Sequence, residues 1–123
     1  MKESALQSQV VAYLALREAR GDLWFAAVPN GLFIHGRTMQ ERAKRMGIMK
    51  RLGMVRPGAP DLVMVLKGGA FAAIELKVGR GKTSDTQEAF RATILKLGGR
   101  YAVCRSIAEV IGTIDAWMIG RNT

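Results

Sequence analysis

The chain has 123 residues, 49% of them apolar, which is enough to bury one core, so we predict a single domain over 1–123. Nineteen Lys and Arg residues against ten acidic ones give a net charge of +9, which argues against an enzyme of small neutral molecules and favours a polyanionic partner such as nucleic acid. A single cysteine, Cys104, and a single histidine exclude a disulfide framework and a zinc finger.

The N-terminal part of the sequence predicts a helix followed by a strand. Apolar residues recur at helical spacing over 4–18, and Ser4 with Gln7 has the S-x-x-Q form of a capping box. An aromatic and apolar run over 23–28 then predicts a strand, which ends at the Pro-Asn-Gly turn signal of 29–31.

A strongly basic helix is predicted next. Thr38 and Glu41 have the spacing of a second capping box, and the helix that they open ends at Gly53, with Met and Ile side chains that are candidates for a core. This segment holds the densest positive charge of the chain: Arg37, Arg42, Lys44, Arg45, Lys50, Arg51 and Arg56. We predict that it follows the phosphate backbone of DNA, together with Arg80 and Lys82 of a later loop.

Two adjacent antiparallel strands are predicted on either side of a Gly68-Gly69 turn. A loop rich in Pro and Gly leads to Asp61 and the apolar run 62–66, and 70–78 has the alternation of a strand. These two strands carry Asp61, Glu75 and Lys77.

The remaining elements are a helix, a strand and a helix. Ser84 and Gln87 form a third capping box, and apolar residues follow at helical spacing as far as Gly98. A short strand is predicted over 101–104, and Ser106 begins a last helix. The order of elements predicts a mixed α/β domain of three layers, with a central sheet flanked by helices.

Glu75 and Lys77 lie two residues apart on an otherwise apolar strand, so both side chains point to one face of the sheet. Burying either charge without a partner is costly, and Asp61 at the start of the neighbouring strand can bring a second carboxylate there. Two carboxylates and the backbone carbonyl of Leu76 are hard oxygen ligands that suit Mg²⁺ or Mn²⁺. Lys77 would orient an attacking water and offset charge on a phosphate.

The turn between the two strands tests this interpretation. A two-residue turn would pair Asp61 with Leu76, and Asp61 would then face away from Glu75. The metal site therefore requires an odd-numbered turn, a bulge, or Asp61 outside the ladder of paired residues.

Three motifs together resemble a known family. Residues 58–62 read G-A-P-D-L, residues 75–77 read E-L-K and residues 83–87 read T-S-D-T-Q. They resemble the G-x-P-D-L, E-x-K and Ser/Thr-x-x-Gln elements of the virus-type replication-repair nuclease (VRR-NUC) domain of the PD-(D/E)XK superfamily. The resemblance extends over nearly the whole chain.

The resemblance implies a restriction-endonuclease-like fold and an endonuclease dependent on Mg²⁺ or Mn²⁺. It implies a catalytic set of Asp61, Glu75, Lys77 and Gln87, and a further metal ligand in Glu3. Standalone members are similar to Holliday-junction resolvases and tend to form homodimers, while the domain in larger repair proteins cuts flaps and branched DNA.

Several residues also fit roles outside a catalytic site. Gln87 is equally accounted for as the third residue of a capping box, and Glu3 as a charge that favours the positive end of its helix. His35 lies in a Gly-flanked loop, where a solvated or phosphate-contacting role is expected. Trp24 and Trp117 are expected to fill the core or an oligomer interface rather than stack on bases.

The leading hypothesis is an endonuclease for branched or structured DNA. The alternative is a non-catalytic DNA-binding module that keeps the fold. A restriction-type enzyme is a third hypothesis, but it would need elements that read bases, and 123 residues leave little room for them. Polar residues occur too early for a secretory leader, and no apolar run approaches the ~20 residues of a membrane span. We therefore expect a protein of the cytoplasm, in a bacterium or a phage-infected host cell.

Overall fold

The computed structural model describes residues 1–28, 36–53 and 58–120. In chain order the elements are α1 (Glu3–Ala19), β1 (Leu23–Ala27), α2 (Met39–Arg51), β2 (Leu62–Leu66), β3 (Phe71–Leu76), α3 (Asp85–Lys96), β4 (Arg100–Cys104) and α4 (Ile107–Met118). This order is the one that the sequence predicts. The predicted turn at 29–31, His35 and Arg56 lie outside the described residues.

The four strands form one mixed sheet in the order β1-β2-β3-β4. The strand pairs β1–β2 and β2–β3 are antiparallel, whereas β3 and β4 are parallel. The parallel pair follows from the crossover through α3, since two parallel neighbours cannot be joined by a tight turn. The central position of β3 brings its side chains under cover from both faces of the sheet.

The hairpin between β2 and β3 has a three-residue turn. Val65 pairs with Phe71, and the N–H of Leu66 donates to the carbonyl of Ala70 at 2.8 Å, which leaves residues 67–69 in the turn. Gly68 and Gly69 both have positive φ, about 100°, which favours glycine at each position. Because the turn has an odd number of residues, Asp61 continues the register on the same face as Glu75, as a shared metal site requires.

One face of the sheet carries the apolar core. Side chains of α1 and α4 pack there against alternate residues of the strands, in a cluster that includes Leu6, Val10, Leu14, Leu62, Met64, Ile74, Leu76, Cys104, Val110, Ile114 and Trp117. Helix α3 lies on the other face, where Ile94 and Phe71 both approach Gly99. The predicted three-layer α/β arrangement, a mixed sheet flanked by helices, is confirmed.

Helix α2 differs from expectation. It buries none of its side chains, so the prediction that its Met and Ile residues face a core is wrong. The reason is its composition, because the charged residues around the whole circumference leave no continuous apolar stripe. Of the two tryptophans, Trp117 belongs to the core, whereas Trp24 on β1 is 55% exposed and does not.

Of the three predicted capping boxes, Ser84–Gln87 is complete, Thr38–Glu41 forms only its N-cap half, and Ser4–Gln7 does not form. The Thr38 and Ser84 side chains each accept a hydrogen bond from the N–H three residues later. The box predicted at Ser4 is wrong, because the N-cap of α1 is Lys2, two residues earlier, and no side chain caps the helix. Among the described helices, none has the length and apolarity that crossing a membrane requires.

Candidate metal centre

The site forms where β2 begins and β3 ends. The register that pairs Leu62 with Ile74 places Asp61 opposite Glu75, one residue before β2 starts. The carboxylate of Asp61 accepts a hydrogen bond from the backbone N–H of Leu76 at 2.8 Å, and its carbonyl accepts one from Val28 at 2.8 Å. Asp61 is therefore tied through its side chain to β3 and through its backbone to the residue that follows β1.

A third carboxylate reaches the same point from α1. Oxygens of Glu3, Asp61 and Glu75 lie within 4.8 Å of one another. Helix α1 packs on the apolar face of the sheet, and Glu3 in its first turn brings a charge to the end of the strands. Glu3 thus sits at the positive end of its helix and in the carboxylate cluster at once, so the two roles that its sequence position suggests are compatible.

Glu75 is the most enclosed member of the cluster, with 2% of its surface exposed. Its Oε1 accepts a hydrogen bond from the Gln87 side-chain amide at 3.0 Å and lies 3.8 Å from the Lys77 ammonium. Its Oε2 is buried and has no hydrogen-bond partner among the described residues. Oε1 is therefore satisfied, whereas Oε2 lacks a partner in the ionised group; when Glu75 is protonated, the acid can share a side-chain hydrogen bond with Asp61.

Gln87 has two roles that the sequence left as alternatives. Its side-chain oxygen accepts a hydrogen bond from Ser84 N–H at 2.9 Å, which completes the capping box of α3. Its side-chain nitrogen donates to Glu75, so the start of α3 is fixed to the carboxylate. The amide geometry allows both bonds together because the oxygen only accepts and the nitrogen only donates.

Gly58 brings the loop before Asp61 against the first turn of α3. Its φ is +78°, and a Cβ at this position would overlap the backbone carbonyl of Thr86 and crowd the N–H of Gln87. Only glycine satisfies both the backbone conformation and the close approach. The loop that carries Asp61 and the helix that carries Gln87 are consequently positioned by one contact.

The pKa of Glu75 is raised from 4.5 to about 8, first by burial and then by the negative charge of Asp61. Lys77 acts in the opposite direction, and Glu3 adds to the increase. Like charges held close together in a poorly solvated site favour either a bound proton or a bound cation. The cluster is thus electrostatically suited to a divalent metal ion.

The backbone of Leu76 also faces this cluster. Its N–H points toward Asp61, and the carbonyl of a strand residue points to the same side of the strand as its N–H. Oxygens of Glu3, Asp61 and Glu75 with the Leu76 carbonyl form a hard donor set of the kind that Mg²⁺ and Mn²⁺ prefer. The residues present therefore fit such an ion.

Tyr101 is a further residue at this site, and the sequence did not reveal it. It pairs with Ala73 across the parallel strands β3 and β4, is 4% exposed, and its hydroxyl has no hydrogen-bond partner among the described residues. Burial, then the charges of Glu75 and Asp61, raise its pKa to about 12. No local pattern indicates its position, because the face it occupies depends on the register of β4 against β3.

The predicted DNA-binding residues fall into two groups. Arg80 and Lys82 are exposed in the loop after Lys77, and a Cβ on Gly81 would lie 3.6 Å from the Lys77 side chain, so this loop borders the site. The second group is exposed on and just before α2, and consists of Arg37, Arg42, Lys44, Arg45, Lys50 and Arg51. None of this second group belongs to the carboxylate cluster.

Comparison with known protein families gives a match. The family model of the VRR-NUC domain matches residues 8–108, well over half of the chain. That range contains Asp61, Glu75, Lys77 and Gln87, while Glu3 lies before it. No curated protein and no solved structure matches the chain. The match indicates a nuclease-type, DNA-related function and a restriction-endonuclease-like fold, with which the mixed sheet and flanking helices agree.

Replacing Gly58 by alanine should disrupt the site through the contact with α3. We expect Gly58→Ala to lower the free energy of unfolding by about 3 kcal/mol or more, because the new methyl group adds a clash to the cost of positive φ. Gly53→Ala is the matched control, since Gly53 has φ +73° and open space around its Cβ position. It should cost about 1–2 kcal/mol. Equal losses for both variants in urea unfolding would contradict this account.

The raised pKa of Glu75 predicts how metal-free stability depends on pH. Between pH 4.5 and about 8 the folded protein keeps a proton on Glu75 that the unfolded chain releases, so stability should fall as pH rises through this window. The limiting slope is about 1.4 kcal/mol per pH unit. Glu75→Gln, an uncharged mimic of the protonated acid, should remove this component.

Urea unfolding in EDTA at several pH values from 5 to ~8.5 would measure the difference between the two proteins. The advantage of Glu75→Gln should be smallest at pH 5 and largest above pH 8, where wild-type Glu75 is charged. A difference that stays constant across this range would contradict the raised pKa.

Proposed function

The chain belongs to the VRR-NUC domain family, and from this premise we propose that it is a divalent-metal-dependent endonuclease that hydrolyses phosphodiester bonds in branched or structured DNA. The observation that carries the proposal is the convergence of the Glu3, Asp61 and Glu75 carboxylates beside Lys77 at the end of a central strand. A buried carboxylate with two further carboxylates and only one ammonium beside it favours a cation site over a structural ion pair.

In this proposal Mg²⁺ or Mn²⁺ is held by Asp61, Glu75 and the Leu76 carbonyl, with Glu3 as a further ligand. Such an ion, when bound, polarises the phosphoryl oxygen and lowers the pKa of a coordinated water. The chain's own contribution is to fix the ligands: Leu76 N–H orients Asp61, and Gln87 orients Glu75. Both bonds leave carboxylate lone pairs available for a cation.

Lys77 has a different task in the proposal. Its ammonium lies 3.8 Å from Glu75, and its side chain is 15% exposed, so it reaches from the cluster toward solvent. From there it positions the attacking water and offsets negative charge that develops on the phosphate. Arg80 and Lys82, in the adjoining loop, would contact flanking phosphates.

A non-catalytic DNA-binding module is the second candidate. It would explain the net charge of +9 and the exposed basic residues of α2. The burial of Glu75 beside two other carboxylates disfavours it, because a buried charge among like charges destabilises the fold and serves no purpose in simple phosphate binding. A restriction-type activity has no observation in its favour.

We also propose that the protein acts as a homodimer. A four-way junction has twofold symmetry, which suits two active sites related by a twofold axis. Analytical ultracentrifugation at micromolar concentration would test this. A monomer at this concentration without DNA would argue against the resolvase-like form and leave a flap nuclease in place.

Cleavage of labelled DNA tests the catalytic proposal. The wild-type protein should cut four-way junction or flap DNA in Mg²⁺ or Mn²⁺ and not in EDTA, with plain duplex a poorer substrate. Lys77→Met keeps the aliphatic stem and should reduce the rate by roughly 100-fold or more, since one electrostatic stabiliser of the reacting phosphate is lost. Lys67→Met, in the turn at the opposite end of the same strands, is the control and should cut normally.

Metal binding separates the two candidate functions. Titration with Mn²⁺ should give a binding site in the wild-type protein that Asp61→Asn abolishes or weakens by at least tenfold. Tight DNA binding with no cutting of any substrate and no Mn²⁺ site would establish the binding module instead.

The salt dependence of DNA binding tests the role of α2. Affinity should fall steeply between low and moderate salt, and each lost phosphate contact should reduce the logarithmic slope by about 0.9. Replacing Arg42, Lys44 and Lys50 together by glutamine should therefore flatten the slope by up to about 2.7 without changing the cleavage requirement for metal.

A charge-matched variant controls for net charge alone. Glutamine at Arg20, Lys67 and Lys96, which are exposed on other elements, removes the same charge from elsewhere on the surface. This control should change the slope much less. Equal slopes for the two triple variants would show that α2 has no specific part in binding.

A further inference from the structure

Two buried polar atoms near the carboxylate cluster have no hydrogen-bond partner among the described residues: Oε2 of Glu75 and the hydroxyl of Tyr101. Buried polar groups in folded proteins are almost always hydrogen-bonded, so an unpaired acceptor and an unpaired donor in one region are unusual. One is a hydrogen-bond acceptor when ionised, and the other is a donor. The two are chemically complementary.

The sheet brings these groups to the same face. Tyr101 pairs with Ala73 and Val103 pairs with Glu75 across β3 and β4, so Tyr101 is a diagonal neighbour of Glu75. With strands about 4.8 Å apart and two residues spanning about 6.6 Å along a strand, diagonal neighbours are roughly 8 Å apart at the backbone, within reach of an aromatic side chain. Ala73, which faces Tyr101 directly across the two strands, has only a methyl group on that face.

The electrostatics agree with this placement. After burial, the strongest influences on the pKa of Tyr101 are the negative charges of Glu75 and Asp61, which raise it to about 12. The hydroxyl accordingly keeps its proton at neutral pH and remains a donor. Glu88 and Arg91 of α3 also act on the pKa of Tyr101, in agreement with α3 lying on the same face of the sheet.

We propose that Tyr101 is a positioning residue of the metal centre, whose hydroxyl, unpaired in the metal-free protein, donates a hydrogen bond to Oε2 of Glu75 when a metal ion is bound. With Gln87 and Lys77 at Oε1, the carboxylate is then oriented through both oxygens. Each oxygen keeps a lone pair for a cation, so this bond and metal coordination are compatible. The inference rests on the proposed function, since it assigns a residue to the same site.

The proposal distinguishes Tyr101 from a residue that only supports the fold. A structural hydroxyl would be hydrogen-bonded in the metal-free protein, and its removal would destabilise the fold. The Tyr101 hydroxyl has no partner there among the described residues, so its removal relieves a buried unsatisfied donor. Metal affinity should fall while metal-free stability is kept or gained.

The test is Tyr101→Phe, which removes the hydroxyl and keeps the ring. Titration calorimetry of the full chain with Mn²⁺ at ~pH 8.5 should show an affinity about tenfold or more below wild type. Thermal unfolding in EDTA should give a midpoint equal to or above that of wild type. Tyr13→Phe is the control, since that hydroxyl accepts a hydrogen bond from Arg17 at 2.9 Å, roughly 15 Å along α1 from Glu3. It should lower the midpoint and leave Mn²⁺ affinity unchanged.

Unchanged Mn²⁺ affinity in Tyr101→Phe would overturn the inference, whatever happens to the unfolding midpoint. If wild-type protein binds Mn²⁺ and Asp61→Asn does not, that result would leave the proposed function in place and remove Tyr101 alone from it. A wild-type protein that binds no Mn²⁺ would overturn both.

Discussion

The burial of the Glu75 carboxylate is the constraint around which this fold is arranged. Glu75 lies on a central strand in which every residue over 72–76 is buried, so water does not solvate its charge. An isolated carboxylate in such a place would be prohibitively unstable. Neighbouring groups contact it or lie beside it. Gln87 of α3 donates a hydrogen bond to Glu75, and the Lys77 ammonium lies nearby. The backbone N–H of the residue after Glu75 holds Asp61. These contacts pair Oε1 of Glu75 and leave Oε2 without a partner. A bound cation would neutralise the remaining negative charge.

Backbone geometry at two turns decides whether those groups meet at all. The three-residue turn of the β2–β3 hairpin sets the parity that brings Asp61 and Glu75 to one face, and a turn of two residues would separate them. Gly58 then allows the loop before Asp61 to touch the first turn of α3. The relative positions of Asp61, Glu75 and Gln87 are therefore fixed by backbone contacts, which hold the site before any ligand arrives.

The sequence predicts the features that depend on nearby residues, and it does not predict those that depend on contacts between distant parts of the chain. Order and type of all eight elements follow from periodicity and capping signals, which act over a few residues. The E-x-K pair and the preceding Asp61 identify the site because two-residue spacing on a strand fixes a common face. The parity of the hairpin turn and the place of Tyr101 are set by pairing between strands. Neither could therefore be read from a local pattern. The solvent exposure of α2, in contrast, follows from its own composition, in which charged residues lie all round the helix.

The distribution of charge on the chain predicts that DNA binding and metal binding depend on each other. The chain carries +9 overall, with exposed cations on α2 and in the 79–82 loop, and a basic surface attracts a polyanion. At the proposed reaction centre the sign reverses, because the carboxylates of Glu3, Asp61 and Glu75 lie within 4.8 Å of one another. A phosphodiester drawn to the basic surface would be repelled there at close range by charges that are poorly screened. A divalent cation between phosphate and carboxylates removes that repulsion, so DNA and metal should each increase the affinity for the other.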